Sequence, residues 1–287
     1  AGGVSARMEV VVWVDGGGEA RRVVVRRPWG EERVVQSGGM DEIYRILAGL
    51  WGAVVRVPRP WGYGEAGEVF AEPCLVMDFV AGAAVYGPRD GILYAEKMGE
   101  VLATIHGAKG DWSWLRGAGW YEGVDLRPRE GGRDGSYRPY DEGLREREIR
   151  EALSGGWRVV NEACLLHGDF WPGNVLWAED EIVAVVDWEE AMVGDPLLDV
   201  AVTRLDLLWL VGEAGMWAFT ERYRQLTEID WGALGYWDLW AGLRPCGGLG
   251  VWAEPWAGLG RVDVTEGMMR ARQNWFVGEA LREVGGG

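Results

Sequence analysis

Two short apolar runs and the loop between them constrain this chain more than any other feature of its 287 residues. Leu165-Leu166-His167 leads into a loop that carries Asp169 and, five residues later, Asn174, and the run Ile182-Val183-Ala184-Val185-Val186 ends on Asp187. Short apolar runs bounded by loop residues read as buried strands, so three oxygen-bearing side chains are expected in one loop cluster beside them. Pro172 and Gly173 bend the loop so that Asp169 and Asn174 can face the same cleft. An amide oxygen from Asn174 with a carboxylate from Asp187 suits magnesium, a hard ion that takes oxygen ligands and keeps positions for water and phosphate oxygens. Asp169 then remains for the other requirement of phosphoryl transfer, a group that orients a hydroxyl and accepts its proton.

The rest of the chain divides into a strand-rich start and a helical remainder. Residues 8–14 and 22–27 are rich in valine, and Asp15-Gly16-Gly17-Gly18 between them suits a hairpin turn. Residues 41–51 place Ile43, Ile46, Leu47 and Leu50 on one helical face, after which Pro58 and Pro60 interrupt. Residues 68–71 and 75–80 read as a strand pair, and Ala81-Gly82-Ala83 as a small-residue joint between two lobes. Residues 92–106 form a helix ended by Gly107 and Gly110, the stretch 117–139 is an irregular surface loop, and further helices are expected over 197–211, 216–226, 231–243 and 268–284.

Composition removes several functions. The net charge of -16 repels a phosphate backbone and anionic lipid, so neither nucleic acid nor a membrane surface is expected as a partner. No apolar stretch reaches the roughly 20 residues that span a bilayer. Cys74, Cys164 and Cys246 lie far apart, and His106 and His167 are the only histidines, so a disulfide framework and a zinc site are both excluded; a reducing cytoplasm fits. The 19 tryptophans are scattered, which reads as core rather than as a glycan-binding platform.

His167-Gly168-Asp169 with Asn174, and Asp187 beyond them, resemble the catalytic loop and metal-binding aspartate of the aminoglycoside phosphotransferase and choline kinase family, relatives of the protein kinases. Gly194-Asp195-Pro196-Leu197-Leu198-Asp199 also resembles the family's stretch after that strand, with Asp199 bracing the catalytic loop. The resemblance implies an α+β, bilobal, protein-kinase-like fold. Residues 1–80 would be a small antiparallel-sheet lobe that binds nucleotide, and residues 81–287 a larger, mostly helical lobe for catalysis and substrate. It implies ATP and magnesium (Mg2+) as cofactors and a small-molecule hydroxyl as acceptor: an aminoglycoside, an amino alcohol or a sugar-like compound. Asp169, Asn174 and Asp187 would be catalytic, the last two holding the metal. Asp78 and Val80 would meet adenine in the interlobe linker.

The start of the chain departs from the family pattern. Arg26 stands where a phosphate-binding lysine is usual, and a guanidinium can still pair with phosphate. Its acidic partner on the next helix falls nearest Glu42. Gly2-Gly3-Val4-Ser5 resembles the loop over the phosphates, with Ser5 as its contact, and the strand that should precede it is missing, so the lobe reads as truncated at its start. These departures keep open a catalytically impaired relative that acts as a binding or scaffold module. Glu189 and Glu190 beside Asp187 would suit a carboxylate-pair hydrolase, which leaves Asn174 unexplained. His167 and His106 are expected to be structural. The aromatic residues Trp231, Tyr236, Trp237 and Trp240 are expected in the core before an acceptor site. Only 12 residues lie from Asp187 to Asp199, too few for the long segment that positions peptides in protein kinases, so proteins are not the expected acceptor.

Overall fold

The valine-rich segments pair as their pattern requires. In the computed structural model, which describes residues 6–14, 16–28, 39–51, 55–117, 139–155 and 158–285, β1 (Ala6–Val14) and β2 (Ala20–Pro28) form an antiparallel hairpin. β2 continues into β4 (Cys74–Asp78), and β4 into β3 (Pro60–Gly64), giving an antiparallel sheet of order β1-β2-β4-β3. Helix α1 (Met40–Trp51) packs on this sheet through Ile43, Ile46, Leu47 and Leu50, and its acidic first turn, Asp41 and Glu42, complements the positive end of the helix dipole.

The partner of β4 is a correction. Residues 68–71 are not a strand: the Gly67 amide donates to the Phe70 carbonyl, and Glu68 closes a turn with Glu65. The pairing strand starts instead at Pro60, because a proline is tolerated as the first residue of an edge strand, where its missing N–H costs no ladder bond. A register shift between Pro60 and Gly62 accommodates it.

Past the linker the chain is mostly helical. Asp90 caps α2 (Gly91–His106) by accepting from the amides of Ile92 and Leu93, both at 3.0 Å. Then come α3 (Glu146–Leu153), the short pair β5 (Cys164–Leu166) and β8 (Met192–Gly194), and between these the hairpin β6 (Val175–Ala178) and β7 (Glu181–Val185). α4 (Leu197–Leu226) covers the two helices expected over 197–211 and 216–226, broken where Gly212 adopts φ 83°. A side chain there would be strained in that left-handed backbone. α5 (Leu234–Leu243), α6 (Leu249–Ala253), α7 (Pro255–Gly258) and α8 (Glu266–Gly285) complete the fold.

α4 is buried on nearly every side at its start, a largely apolar stretch whose buried Asp199 and Arg204 have partners. It packs on α2 and α5, and α5 on α8. Trp188, Trp209 and Trp237 are among the largest fully buried side chains, and Tyr236 and Trp240 are buried with them, so most of the tryptophan-rich C-terminal third serves the core. Arg204 on α4 joins Asp238 on α5 through Nε and Nη2 and donates to Thr220 Oγ1 at 2.6 Å, a buried charge with its donors engaged. Among the described residues no helix is long and apolar enough to cross a membrane.

Candidate active site

The loop after β5 is held from behind by Asp199, in the first turn of α4. Its carboxylate accepts from the backbone amides of His167 at 2.7 Å and Gly168 at 2.9 Å, and from His106 Nε2 at 3.2 Å, and it is fully buried. Burial pushes this carboxyl up, but the hydrogen bond from His106, the favourable electrostatics of the two imidazoles and the backbone amide of His167 outweigh that and hold it below the ordinary aspartate range. His106 also meets the Tyr223 hydroxyl through Nδ1 at 2.7 Å, so it is a satisfied core residue. His167 Nε2 faces the Val186 carbonyl at 2.9 Å while Nδ1 accepts from the Asp169 amide at 3.3 Å, which assigns the proton to Nε2 and a structural job to the ring.

Gly168 makes the turn into Asp169. Its φ is 82°, and a Cβ there would lie 2.1 Å from the Glu190 carbonyl oxygen. Gly168→Ala is therefore expected to destabilise the fold by at least about 1–3 kcal/mol, the usual cost of a non-glycine residue forced into such backbone. Urea unfolding of the variant against the parent measures it.

Asp169 and Asn174 meet as the spacing predicts. Asn174, in a short helical turn over Pro172–Asn174, donates through Nδ2 to the Asp169 carbonyl at 2.9 Å and to Asp169 Oδ2 at 3.3 Å. Because the amide nitrogen is used in this way, the amide oxygen is the atom left to act as a ligand. The Asn174 carbonyl accepts from the Val186 amide at 2.9 Å, which ties the loop to the residue before Asp187. Asp187 itself takes φ 67° and ψ 60°, a left-handed conformation that a side-chain-bearing residue seldom adopts unless its surroundings impose it.

Arg26 reaches this cluster from β2. Its side chain is buried, and the guanidinium donates to Asp187 Oδ1 at 3.0 Å and to Glu189 Oε2 at 2.5 Å. The expected pairing with Glu42 is a second correction: the acidic partners of Arg26 are Asp187 and Glu189, 161 and 163 residues away. Glu42 lies close by, since it lines one cavity with Ile46, Leu115, Trp188 and Glu189. Glu190 turns the other way, to Arg116 at 2.6 Å, so the two glutamates are separately engaged and do not form a facing acid and base.

Opposite, Arg244 at the end of α5 donates through Nη2 to Asp169 Oδ1 at 3.0 Å and lies over the Trp252 ring. Nothing local in the sequence singles it out, for it stands 75 residues from its partner. Asp206 on α4 shares the field of this pair: burial pushes its carboxyl up to about 7, Arg244 pulling it down and Asp169 pushing it up. Rings near the loop include Phe170 and Trp188 against His167, and Trp171, Tyr86 and Trp256 in mutual contact, rather than Trp231, Tyr236, Trp237 or Trp240.

Asp78 ends β4, its amide bonded to the Arg59 carbonyl and its carboxylate to Trp61 Nε1, and half-buried Val80 follows in the linker. Antiparallel bonds between Ala83 and Trp177 then stitch the linker to β6. Ser5 lies outside the described residues, as do Gly2-Gly3-Val4, Asp15 and all but the ends of the expected 117–139 loop. Among the described residues no three His, Cys, Asp or Glu side chains gather as a metal cage. The oxygen donors available are the amide of Asn174 and the carboxylate of Asp187, a set that fits a magnesium ion carrying phosphate and water.

Known proteins share the fold that carries this site. Viomycin phosphotransferase of Streptomyces vinaceus is 29% identical over 213 residues, covering 67% of this chain and 71% of that protein. An aminoglycoside phosphotransferase from Alicyclobacillus acidocaldarius superposes with a TM-score of 0.60 at 15% identity, over 98% of this chain and 93% of that one. An amicoumacin kinase in complex with AMP-PNP, Ca2+ and Ami does so with a TM-score of 0.58 at 16% identity, over 97% and 87% of the two chains. These structures share the α+β kinase-like fold, an N-terminal antiparallel sheet followed by a mostly helical part. The model of the phosphotransferase enzyme family matches residues 1–245, well over half of the sequence, and the chain belongs to that family as a small-molecule phosphotransferase.

Proposed function

We propose that the protein moves the γ-phosphate of ATP, with magnesium, to a hydroxyl of a small molecule. One observation carries the reading: Asn174 spends its amide nitrogen on Asp169 and is tied through its backbone to the residue before Asp187, so the base and both candidate ligands belong to one hydrogen-bonded unit. Asn174 and Asp187 would hold the ion, which when bound neutralises phosphate charge. Arg26 would steady the α- and β-phosphates, exchanging Asp187 for them while Glu189 keeps the guanidinium oriented. Glu42, in the neighbouring cavity, would support the same region, and the backbone at Asp78 and Val80 would meet adenine. Ser5 would contact the phosphates from the start of the chain.

In the transfer, the acceptor oxygen bonds to the γ-phosphorus, the bond to the bridging oxygen breaks with its electrons left on ADP, and the hydroxyl proton passes to Asp169. We place nucleotide binding in residues 1–80 and catalysis and acceptor binding in 81–287, a division supported by the sheet that ends at Asp78 and by the linker bridge at Ala83. A small acceptor is favoured because the stretch after Asp187 turns at once into β8 and α4. The same reading puts the enzyme in the reducing cytoplasm, in keeping with three free cysteines.

Calorimetry with ATP in the presence and absence of magnesium tests it. Binding is expected to require the metal and to weaken about 10- to 100-fold in Asp187→Ala, the loss of one charged contact. Nucleotide binding that is absent, or indifferent to magnesium and to Asp187, would favour the scaffold alternative.

A further inference from the structure

Arg244 is the least explained charge at the site. Its guanidinium makes two contacts among the described residues: Nη2 bonds Asp169 Oδ1, and the group lies 5.3 Å from the centre of the Trp252 ring. Other arginines on these helices are consumed by structural acids, Arg204 by Asp238 and Arg270 by Asp141 and Glu266. Among the described residues Arg244 forms an ion pair only with Asp169, and its side chain is 26% exposed. None of its nitrogens is among the buried polar atoms without a partner, so Nε and Nη1 are not sealed in the core. A guanidinium carries five N–H donors in a rigid fork that matches a carboxylate or a phosphate.

We propose that Arg244 determines acceptor specificity: with Nη2 on Asp169, its remaining donors take an oxyanion of the acceptor, a carboxylate or phosphate a few bonds from the hydroxyl that Asp169 receives. One planar group then fixes the distance between the acceptor's anchor and the base, the pre-organisation that phosphoryl transfer needs. The aromatic wall of Trp171, Tyr86 and Trp256 beside the loop would cover the carbon skeleton. The net charge of -16 argues for a cationic acceptor only on average over the surface. A fixed cation in contact with the base sets the local preference, and burial raises the carboxyl of nearby Asp206, which favours its neutral form.

This inference depends on the phosphotransferase reading, and the experiment separates the two. ADP release with magnesium and ATP is measured for glycolate, glycerate, 3-hydroxybutyrate and 4-hydroxybutyrate against their carboxamides, for glycerol 3-phosphate against glycerol, and for ethanolamine and choline. Each compound is also scored for suppression of phosphoryl transfer to water. The oxyanion member of a pair is expected to be favoured about 10- to 100-fold in kcat/KM, as one charged fork contact allows, and the carboxylate and phosphate arms show which oxyanion is taken. In Arg244→Ala the preference should fall toward one through KM, and Arg244→Lys should keep part of it. A panel in which no oxyanion is favoured in either measurement, in which the ammonium compounds are favoured, or in which the preference survives Arg244→Ala overturns the proposal. Magnesium-dependent ATP binding by the same wild-type sample shows whether only the role of Arg244 has failed or the enzyme reading with it.

Discussion

Asp169→Asn is expected to lower kcat for phosphoryl transfer by about 10²- to 10⁴-fold, the range that positioned proton transfer contributes. The substitution keeps the shape of the side chain, so the loop, braced by Asp199 and closed by Gly168, keeps its path. It removes the charge that pairs with Arg244 and the atom able to take the hydroxyl proton. Asp187 and Arg26 are untouched, and Asn174 keeps its bond to the backbone carbonyl of residue 169 even where the longer one to the side chain is lost, so the affinity for magnesium and ATP should largely hold while turnover collapses. ADP release at saturating nucleotide, with calorimetric ATP binding alongside, separates these effects. Turnover that persists in the variant would falsify the role given to Asp169.

The second large effect is on stability. Asp199→Ala strands two backbone amides and His106 in a fully buried position, and removing one member of such a charged, hydrogen-bonded group costs about 3–5 kcal/mol. Denaturant unfolding of the two proteins measures the difference. Its pH dependence has a definite sign. The folded carboxyl titrates below the ordinary aspartate value of about 3.9, so its contribution is fully present above that pH and is lost as the pH falls through the lower, folded value. The gap between parent and variant should therefore be constant near neutrality and shrink at strongly acidic pH. A gap that widens on acidification would contradict the assigned hydrogen bonds.

Much of the site was legible because it is local. Asp169 and Asn174 lie five residues apart on one bent loop, and a proline and a glycine between them leave few paths, so their meeting follows from spacing. His167, Gly168 and Asp199 were legible through family resemblance, and the structure supplies the cause, two backbone amides on one carboxylate. The longer helices were legible from their apolar faces, whereas the short α3, α6 and α7 were not, having too few turns to show a repeating face. The edge strand was not, because Pro58 and Pro60 look like breakers unless a neighbouring strand is already present to show that no ladder bond is lost.

What the sequence by itself determined is the chemistry available: an amide and two carboxylates, a strand arginine, and an apolar pattern able to form a sheet followed by helices. What only the tertiary structure decided is which charges meet. Arg26 was expected beside Glu42 and is instead held by Asp187 and Glu189, and Arg244 was invisible until α5 brought it onto Asp169. Backbone spacing governs contacts over a few residues, whereas partners 75 or 161 positions apart are set by how whole elements pack, and a side chain pairs with whichever charge that packing brings within about 3 Å.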